Sequence, residues 1–379
     1  MAQVAQDKAP NKLAVSCKNN LLMNSTFQPS LLNDPFGDPG LLVERENSSD
    51  VFLFDLGDLS GIPSKLLLKA SHVFISHTHI DHFIGFDRLL RVSFGQGKTI
   101  HLFGPENITA NVAGKLAGFT WNLVELYDES LTIAVTEVHE DRLIKTQFRA
   151  IDKFQPSEEQ SLPFQDGLLV DEKDFTVRTA ILEHRVPCLG YALEEKPKAH
   201  IDKEQLESLD AVAGPWLNEL KSAALENKAD DFLLHAPTIK NDTRNLKEIP
   251  FGLLKNKLVT VSAGYKIVYV TDTLFSEANN KRIVGLANGA DLFFCESPFI
   301  AEETDRARER RHLTTEQAGT LARTAGVKRL QIFHFSRRHV GHAQRFYREA
   351  ESAFGQPILP SKSLFSKKKR PQRSQDVCS

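Results

Sequence analysis

Between His72 and Leu90 the chain reads His-Val-Phe-Ile-Ser-His-Thr-His-Ile-Asp-His-Phe-Ile-Gly-Phe-Asp-Arg-Leu-Leu. The unbroken apolar run Val73, Phe74 and Ile75 predicts a buried strand. His77, His79, Asp81 and His82 then fall within six residues, and Gly85 leads into an apolar-periodic helix. Three imidazoles and a carboxylate packed this tightly suit divalent transition metals, which favour nitrogen and hard oxygen donors. Neighbouring residues in a turn point in different directions, so with Asp81 and His82 adjacent, four donors in one loop serve two ions more easily than one. A His-rich surface loop is the bland alternative. The strand-loop-helix setting and further ligand candidates downstream argue against it.

The remaining candidates are single His or Asp residues at strand ends. His184 follows the strand pattern Phe175–Leu182, Asp272 follows the fully apolar Lys266–Val270, and His334 follows Leu330–Phe333. Each alone reads as an ordinary turn or surface residue. Together, at the ends of buried strands, they extend the donor set. Thr314 and Gln317 have capping-box spacing, so His312 is expected just before a helix N-terminus, where free amides and the helix dipole favour an anion.

The whole chain sets bounds on this reading. At 379 residues it accommodates one large domain or two ordinary ones. Hydrophobic content of 41% and charged content of 25% are those of a globular protein. A net charge of -2 excludes a generally basic, nucleic-acid-coating surface but leaves room for a local basic groove. Cys17, Cys188, Cys295 and Cys378 are scattered, which reads as reduced thiols in the cytoplasm. No signal peptide is evident, and no apolar run approaches the roughly 20 residues that span a bilayer.

Residues 1–22 read as a disordered leader, and Pro29, Pro35, Gly37, Pro39 and Gly40 rule out regular structure across Phe27–Gly40. Strands are expected at Gly40–Glu44, Val51–Phe54, Thr99–Phe103 and Leu131–Val138, a helix at Asn107–Thr120, and an exposed insertion around Pro156–Gln165. Short strands alternating with helices in two series predict an α/β fold with two sheets flanked by helices. The basic run Lys367–Arg370 with Arg373 marks residues 361–379 as a solvated tail, with a weak RNA contact as the sharper alternative.

The pattern His77-x-His79-x-Asp81-His82, followed in order by His184, Asp272 and His334, resembles the metallo-β-lactamase superfamily. Within it the chain is most similar to ribonuclease Z, the endonuclease that trims the 3′ trailer of precursor tRNA. The resemblance runs from about Phe27 to His339. It implies a four-layer αββα metallo-β-lactamase fold over residues 23–360, and two zinc ions, with manganese or iron as alternatives. In this scheme His77, His79 and His184 hold one ion, Asp81, His82 and His334 the other, and Asp272 bridges. A metal-bridging hydroxide would cut RNA. Asp81 would also orient or deprotonate the attacking water, and His312, oriented by Glu296, would act as general acid. Asp55 would support the metal loop without binding metal. The family also implies a homodimer and an arm that grips tRNA, here Glu194–Asn227 with Gly214-Pro215.

The chain departs from the family at substrate-proximal positions. Phe27–Gly40 replaces a Gly-Thr-x-x-Gly-x-Pro loop, Thr271 stands for the Gly before the bridging Asp, Arg311-His312-Leu313 for Gly-His-Ser, and His339 for a final Tyr. An alternative reading is therefore the same fold acting on a small phosphodiester, ester or thioester. A third is a catalytically weak metal protein that holds RNA or a partner, which predicts lost ligands; none is lost.

Overall fold

The long strands are apolar on both faces, and the period-2 alternation along them sorts side chains into two layers. In the computed structural model, Val51, Leu53, Val73, Ile75, Ile100 and Leu102 share one core with Phe86, Leu89, Ile108 and Val112 of helices Phe86–Ser93 and Ile108–Ala117. The intervening Phe54, Phe74 and Phe103 turn to the opposite face and stack, with centroids 4.9 and 5.1 Å apart. There they meet Tyr191 and Tyr269 of a second sheet, at 5.4 Å from Phe74 and 5.8 Å from Phe54. On the far side of that sheet Val268, Val270, Phe293, Cys295 and Ile332 pack with Ile283, Leu321 and Phe346 of three further helices. The result is helix, sheet, sheet, helix.

The structure describes residues 25–358 except 47, 128, 129, 209, 210, 241 and 242. The expected leader at 1–22 and basic tail at 361–379 lie outside the described residues. The first sheet has eight strands in chain order, from Phe27–Leu31 to Gln160–Pro163. Its middle members Val51–Phe54, Ala70–Phe74, Thr99–Pro105 and Thr132–Val138 run parallel. In the six-stranded second sheet, Lys266–Val270, Leu292–Glu296 and Leu330–Phe333 are parallel neighbours. Parallel strands end at one edge, so residues just past those ends are gathered in space.

The chain divides into two compact units, the second comprising Val170–Thr176 and Leu193–Lys266. Taken by itself, this unit holds two antiparallel ribbons, Lys198–Ile201 with Val259–Ser262 and Leu233–Lys240 with Thr243–Pro250. Trp216, Leu220, Leu234, Phe251 and Leu258 form its core. The expected arm at Glu194–Asn227 is thus the first part of a longer folded stretch. Across Leu193–Lys266 the sequence has 11 Lys and Arg against 12 Asp and Glu, so this unit is balanced in charge. Among the described residues, no helix is long and apolar enough to cross a membrane.

One expectation fails outright. Phe27–Leu31 is a strand, paired with Leu41–Arg45 so that Pro29 faces Val43. It is the edge of its sheet, where the missing N–H of a proline is tolerated. The exposed segment at Pro156–Gln165 likewise contains the edge strand Gln160–Pro163. The helix expected over Asn107–Thr120 spans Ile108–Ala117.

The His-rich loop is tied to the end of strand Val51–Phe54 by backbone bonds from Leu56 N to His82 O and from Gly85 N to Leu56 O, both 2.8 Å. Gly85 approaches so closely that a Cβ there would sit 2.4 Å from Gly57 O and 2.6 Å from Leu59 Cγ. Gly85→Ala is expected to lower stability by about 1–3 kcal/mol through overpacking and to displace the loop. Urea denaturation, with metal content measured on the same sample, checks this.

Candidate metal centre

His77, His79, Asp81 and His82 lie past the end of strand Ala70–Phe74, with Asp81 and His82 on the short helix Ile80–Phe83. Asp55, Asp272 and His334 each follow a strand and each has positive φ, at 56°, 44° and 62°. This left-handed conformation is uncommon outside glycine, though Asn, Asp and His adopt it more than most. It ends each strand abruptly at the edge where the site lies.

The donors converge in three sets whose ligand atoms all lie within 4.8 Å of one another: His77, His79, His184 and Asp272; Asp81, His82 and His334; and Asp272, Glu296, His312 and His334. Asp272 belongs to two sets, and its oxygens face different ways. Oδ2 lies 3.5 Å from His77 Nε2 and 3.6 Å from His184 Nε2, whereas Oδ1 lies 3.5 Å from His82 Nε2 and 3.0 Å from His334 Nδ1. Asp81 Oδ2 faces His82 and His334 at 3.6 and 3.5 Å.

Beneath the loop, Asp55 is fully buried and accepts four hydrogen bonds: from Ser76 N (2.7 Å), Ser76 Oγ (2.8 Å), Tyr269 OH (2.9 Å) and His82 Nδ1 (2.9 Å). The bond to Nδ1 leaves Nε2 of His82 facing Asp81 and Asp272. His184 is oriented the same way, with Nδ1 donating to Arg311 O at 2.8 Å. Tyr269 and Ser76 were not singled out from sequence. A tyrosine inside an otherwise aliphatic strand is the one signal that pointed to a buried hydroxyl in need of an acceptor.

The expected cap is present. Thr314 and Gln317 form a capping box on helix Thr315–Thr324. His312, just before it, bonds through Nδ1 to Glu296 Oε2 at 2.9 Å, and Glu296 Oε1 accepts from Thr273 N and Leu313 N.

The departures from the family pattern downstream of the metal loop each have a structural place. Arg311 has φ 62°, a conformation Gly takes freely, and its guanidinium bonds Glu183 Oε1 at 3.0 Å and His184 O at 2.7 Å. Thr271 Oγ1 donates to Asp272 Oδ1 at 2.9 Å. Leu313 is buried in the second-sheet core. His339 pairs with Glu303 at 2.8 Å.

Charge in the cluster is divided. Burial pushes His77 down to about 2, with His82 adding to the effect, and burial also lowers His184. At His82 burial works against the charge, but Asp272 and Asp55 outweigh it and raise the pKa to about 10. His334 is raised well above its usual value by Asp272, Asp81 and Glu296 despite burial. The carboxyls of Asp81 and Asp272 are held below the usual range, against burial, by the neighbouring imidazoles.

This donor set fits a divalent metal. His82 Nε2 and His334 Nδ1 are buried without a hydrogen-bond partner, although His334 Nδ1 lies only 3.0 Å from a carboxylate oxygen that it does not address squarely. His77 Nε2 and His79 Nδ1 face each other at 2.8 Å. Nitrogens aimed at common points beside carboxylates are what a cation satisfies, and its binding displaces the protons that the carboxylates otherwise hold on the imidazoles. A cleft of about 570 Å³ opens beside Asp81, His312 and His334.

No family model matches the chain. It is 30% identical over 327 residues to ribonuclease Z of Deinococcus radiodurans, covering 85% of this chain and 91% of that protein. It is 32% identical over 325 residues to ribonuclease Z of a Synechococcus strain, covering 82% and 87%. Among solved structures, a metallo-beta-lactamase fold protein from Bacillus subtilis superposes with a TM-score of 0.50 at 15% identity, covering 89% of this chain and 96% of that one. The fold is the metallo-β-lactamase fold.

Asp55→Asn keeps the shape but turns an amide toward His82 Nδ1 and Tyr269 OH, neither of which it can accept from. Metal affinity is expected to fall about 10–100-fold, measured by competition with a chelator. Unchanged affinity would show that the loop does not depend on this carboxylate.

Proposed function

The chain belongs to the ribonuclease Z family, and from that premise we propose that it is a two-zinc endoribonuclease that removes the 3′ trailer of precursor tRNA. The observation that carries the two-ion reading is Asp272, whose two oxygens face two different imidazole groups. In this reading His77, His79 and His184 hold one ion, Asp81, His82 and His334 the other, and Asp272 both. Manganese or iron would suit the same donors. When bound, paired divalent ions lower the pKa of water and neutralise charge on phosphoryl oxygens in an in-line displacement.

The protein's own groups supply orientation and protons. In this reading Asp81, the most exposed of the donor carboxylates, orients the attacking water and accepts its proton. His312 is tethered at Nδ1 by Glu296, so Nε2 is the atom that gives a proton to the leaving oxygen. The amides at the start of helix Thr315–Thr324 lie beside it and favour the phosphate. Buried Glu296 supports the imidazolium, which raises His312 against the effect of burial.

The proposal extends to a homodimer, as the family resemblance implies, and to the cytoplasm, supported by the free, buried thiols of Cys188 and Cys295. The second unit, with the segment Glu194–Asn227, is proposed as the tRNA-gripping arm. Its balanced charge and the altered residues around His312 favour keeping a second reading, a smaller phosphodiester substrate for the same centre.

Purified protein is expected to make a single cut in a 3′-extended precursor tRNA near the discriminator base and to carry two metal ions. Asp81→Ala should abolish the cut, and His312→Ala should lower kcat by about 10²–10⁴-fold. A protein with two metals that leaves the precursor whole but hydrolyses bis(p-nitrophenyl) phosphate would replace the tRNA reading with the smaller substrate.

A further inference from the structure

The cleft that opens on Asp81, His312 and His334 is also lined by Arg306, Arg310 and Arg337. One of these is already neutralised: Arg337 pairs with Asp38 at 3.2 Å. Among the described residues, Arg306 and Arg310 have no ion-pair partner, and both are exposed. They stand four apart on helix Thr304–Arg310, and residues at that spacing are neighbours on one helix face.

Asp305 and Glu309, next to them in sequence, form no ion pair with either arginine among the described residues, and the nearby Glu302 and Glu303 are engaged elsewhere. Glu302 pairs with Arg345, and Glu303 with Arg338 and His339. Arg311 is engaged with Glu183 and His184 O, and Arg185 with Glu309 O, while Arg308 of the same helix is not among the residues that line the cleft. Two guanidinium groups are therefore left free on the wall of a cleft that holds the candidate reaction centre.

Their position relative to that centre is fixed by the backbone. Arg311 turns the chain in the left-handed region, and His312 N donates back to Ala307 O at 2.9 Å. The arginine pair and the proposed acid thus belong to one rigid piece. Apolar surface completes the cleft: Phe36, Phe299, Phe335 and Ile84 also line it, and Ile80 is 75% exposed there. A volume of about 570 Å³ takes far more than one phosphate.

We propose that Arg306 and Arg310 form a subsite for a second phosphate, the one next along the strand from the scissile phosphodiester. This rests on the phosphodiesterase reading of the metal centre. A pair of guanidinium forks offers bidentate, charge-assisted hydrogen bonds to a phosphate, and the apolar wall receives the nucleoside between the two phosphates. The subsite makes the enzyme prefer a polynucleotide over an isolated diester without a basic surface on the rest of the molecule.

The test compares a dinucleoside monophosphate with the same compound carrying an added terminal phosphate, at the 5′ end in one substrate and the 3′ end in another. For the wild type, kcat/KM should rise about tenfold with the phosphate at one of the two ends. In R306Q/R310Q that ratio should fall toward one. A merely structural role for the arginines would lower both rates and leave the ratio intact, which overturns the proposal, as does a wild type indifferent to both added phosphates. On precursor tRNA, the plot of log KM against log salt should be shallower in the variant by about 0.7–0.9, the loss of one phosphate contact. A wild type that shows the phosphate gain but does not cut precursor tRNA overturns the tRNA reading and leaves the subsite standing. One that cuts precursor tRNA while the variant keeps its ratio overturns the subsite alone.

Discussion

Asp55 is a carboxylate with no exposed surface, and the site above it depends on how it is satisfied. An unpaired charge in that position would cost several kcal/mol. Four donors remove the penalty, and they come from different parts of the chain: Ser76 N and Oγ at the end of a strand, His82 in the metal loop, and Tyr269 from the other sheet, 214 residues away in sequence. The distance between the two sheets is set by the aromatic layer of Phe54, Phe74, Tyr191 and Tyr269. Tyr269 serves both, as a ring in that layer and as a hydroxyl on Asp55. The orientation of the His82 imidazole is thereby coupled to the packing of the two sheets.

Much of this was legible in the sequence, for a physical reason. Parallel strands buried on both faces read as apolar runs, and polar residues immediately after such runs must gather at one edge. His184, Asp272 and His334 were found that way, Glu296 came from the family resemblance, and the capping box placed His312. Other features were not legible. Pro29 reads as a strand breaker unless its strand is known to be an edge, which only the sheet order reveals. The left-handed turns at Asp55, Asp272 and His334 use residue types that serve equally in ordinary turns. The second unit hides its extent because its ribbon Leu233–Lys240 with Thr243–Pro250 lacks a clean period-2 alternation and carries Pro237 and Pro250, so neither segment reads as a strand. Arg306 and Arg310 sit in a run of alternating charges that reads as a solvated helix face.

The departures from the family pattern are accommodated rather than tolerated as defects. Where glycine would be free to adopt positive φ, Arg311 does so at a cost of about 1–2 kcal/mol, and its side chain offsets this by holding Glu183 and the carbonyl of His184. That carbonyl belongs to His184, whose own Nδ1 is bonded to Arg311 O. The two residues lock each other. Thr271 likewise adds a donor to Asp272 that a glycine lacks. Both changes add a hydrogen bond to a residue of the donor set.

Electrostatics explains why cations are needed in more than one place. Asp81 lines the cleft, Asp272 and Glu296 lie buried beside its His312 and His334, and all three carboxyls are held below their usual range by imidazoles. Protonated histidines alone leave that region near neutrality, a poor environment for a phosphodiester and a worse one for its transition state. Divalent ions held among the carboxylates would reverse the sign locally, but their field would act on the scissile group. The phosphates that flank it in a polynucleotide lie beyond, where a metal's charge is shared with its carboxylate ligands and screened by water. A second tier of positive charge is required there if the strand is to be held at all. With the second unit balanced between acids and bases and Arg337 neutralised by Asp38, the free pair on helix Thr304–Arg310 is the charge the cleft has to meet it.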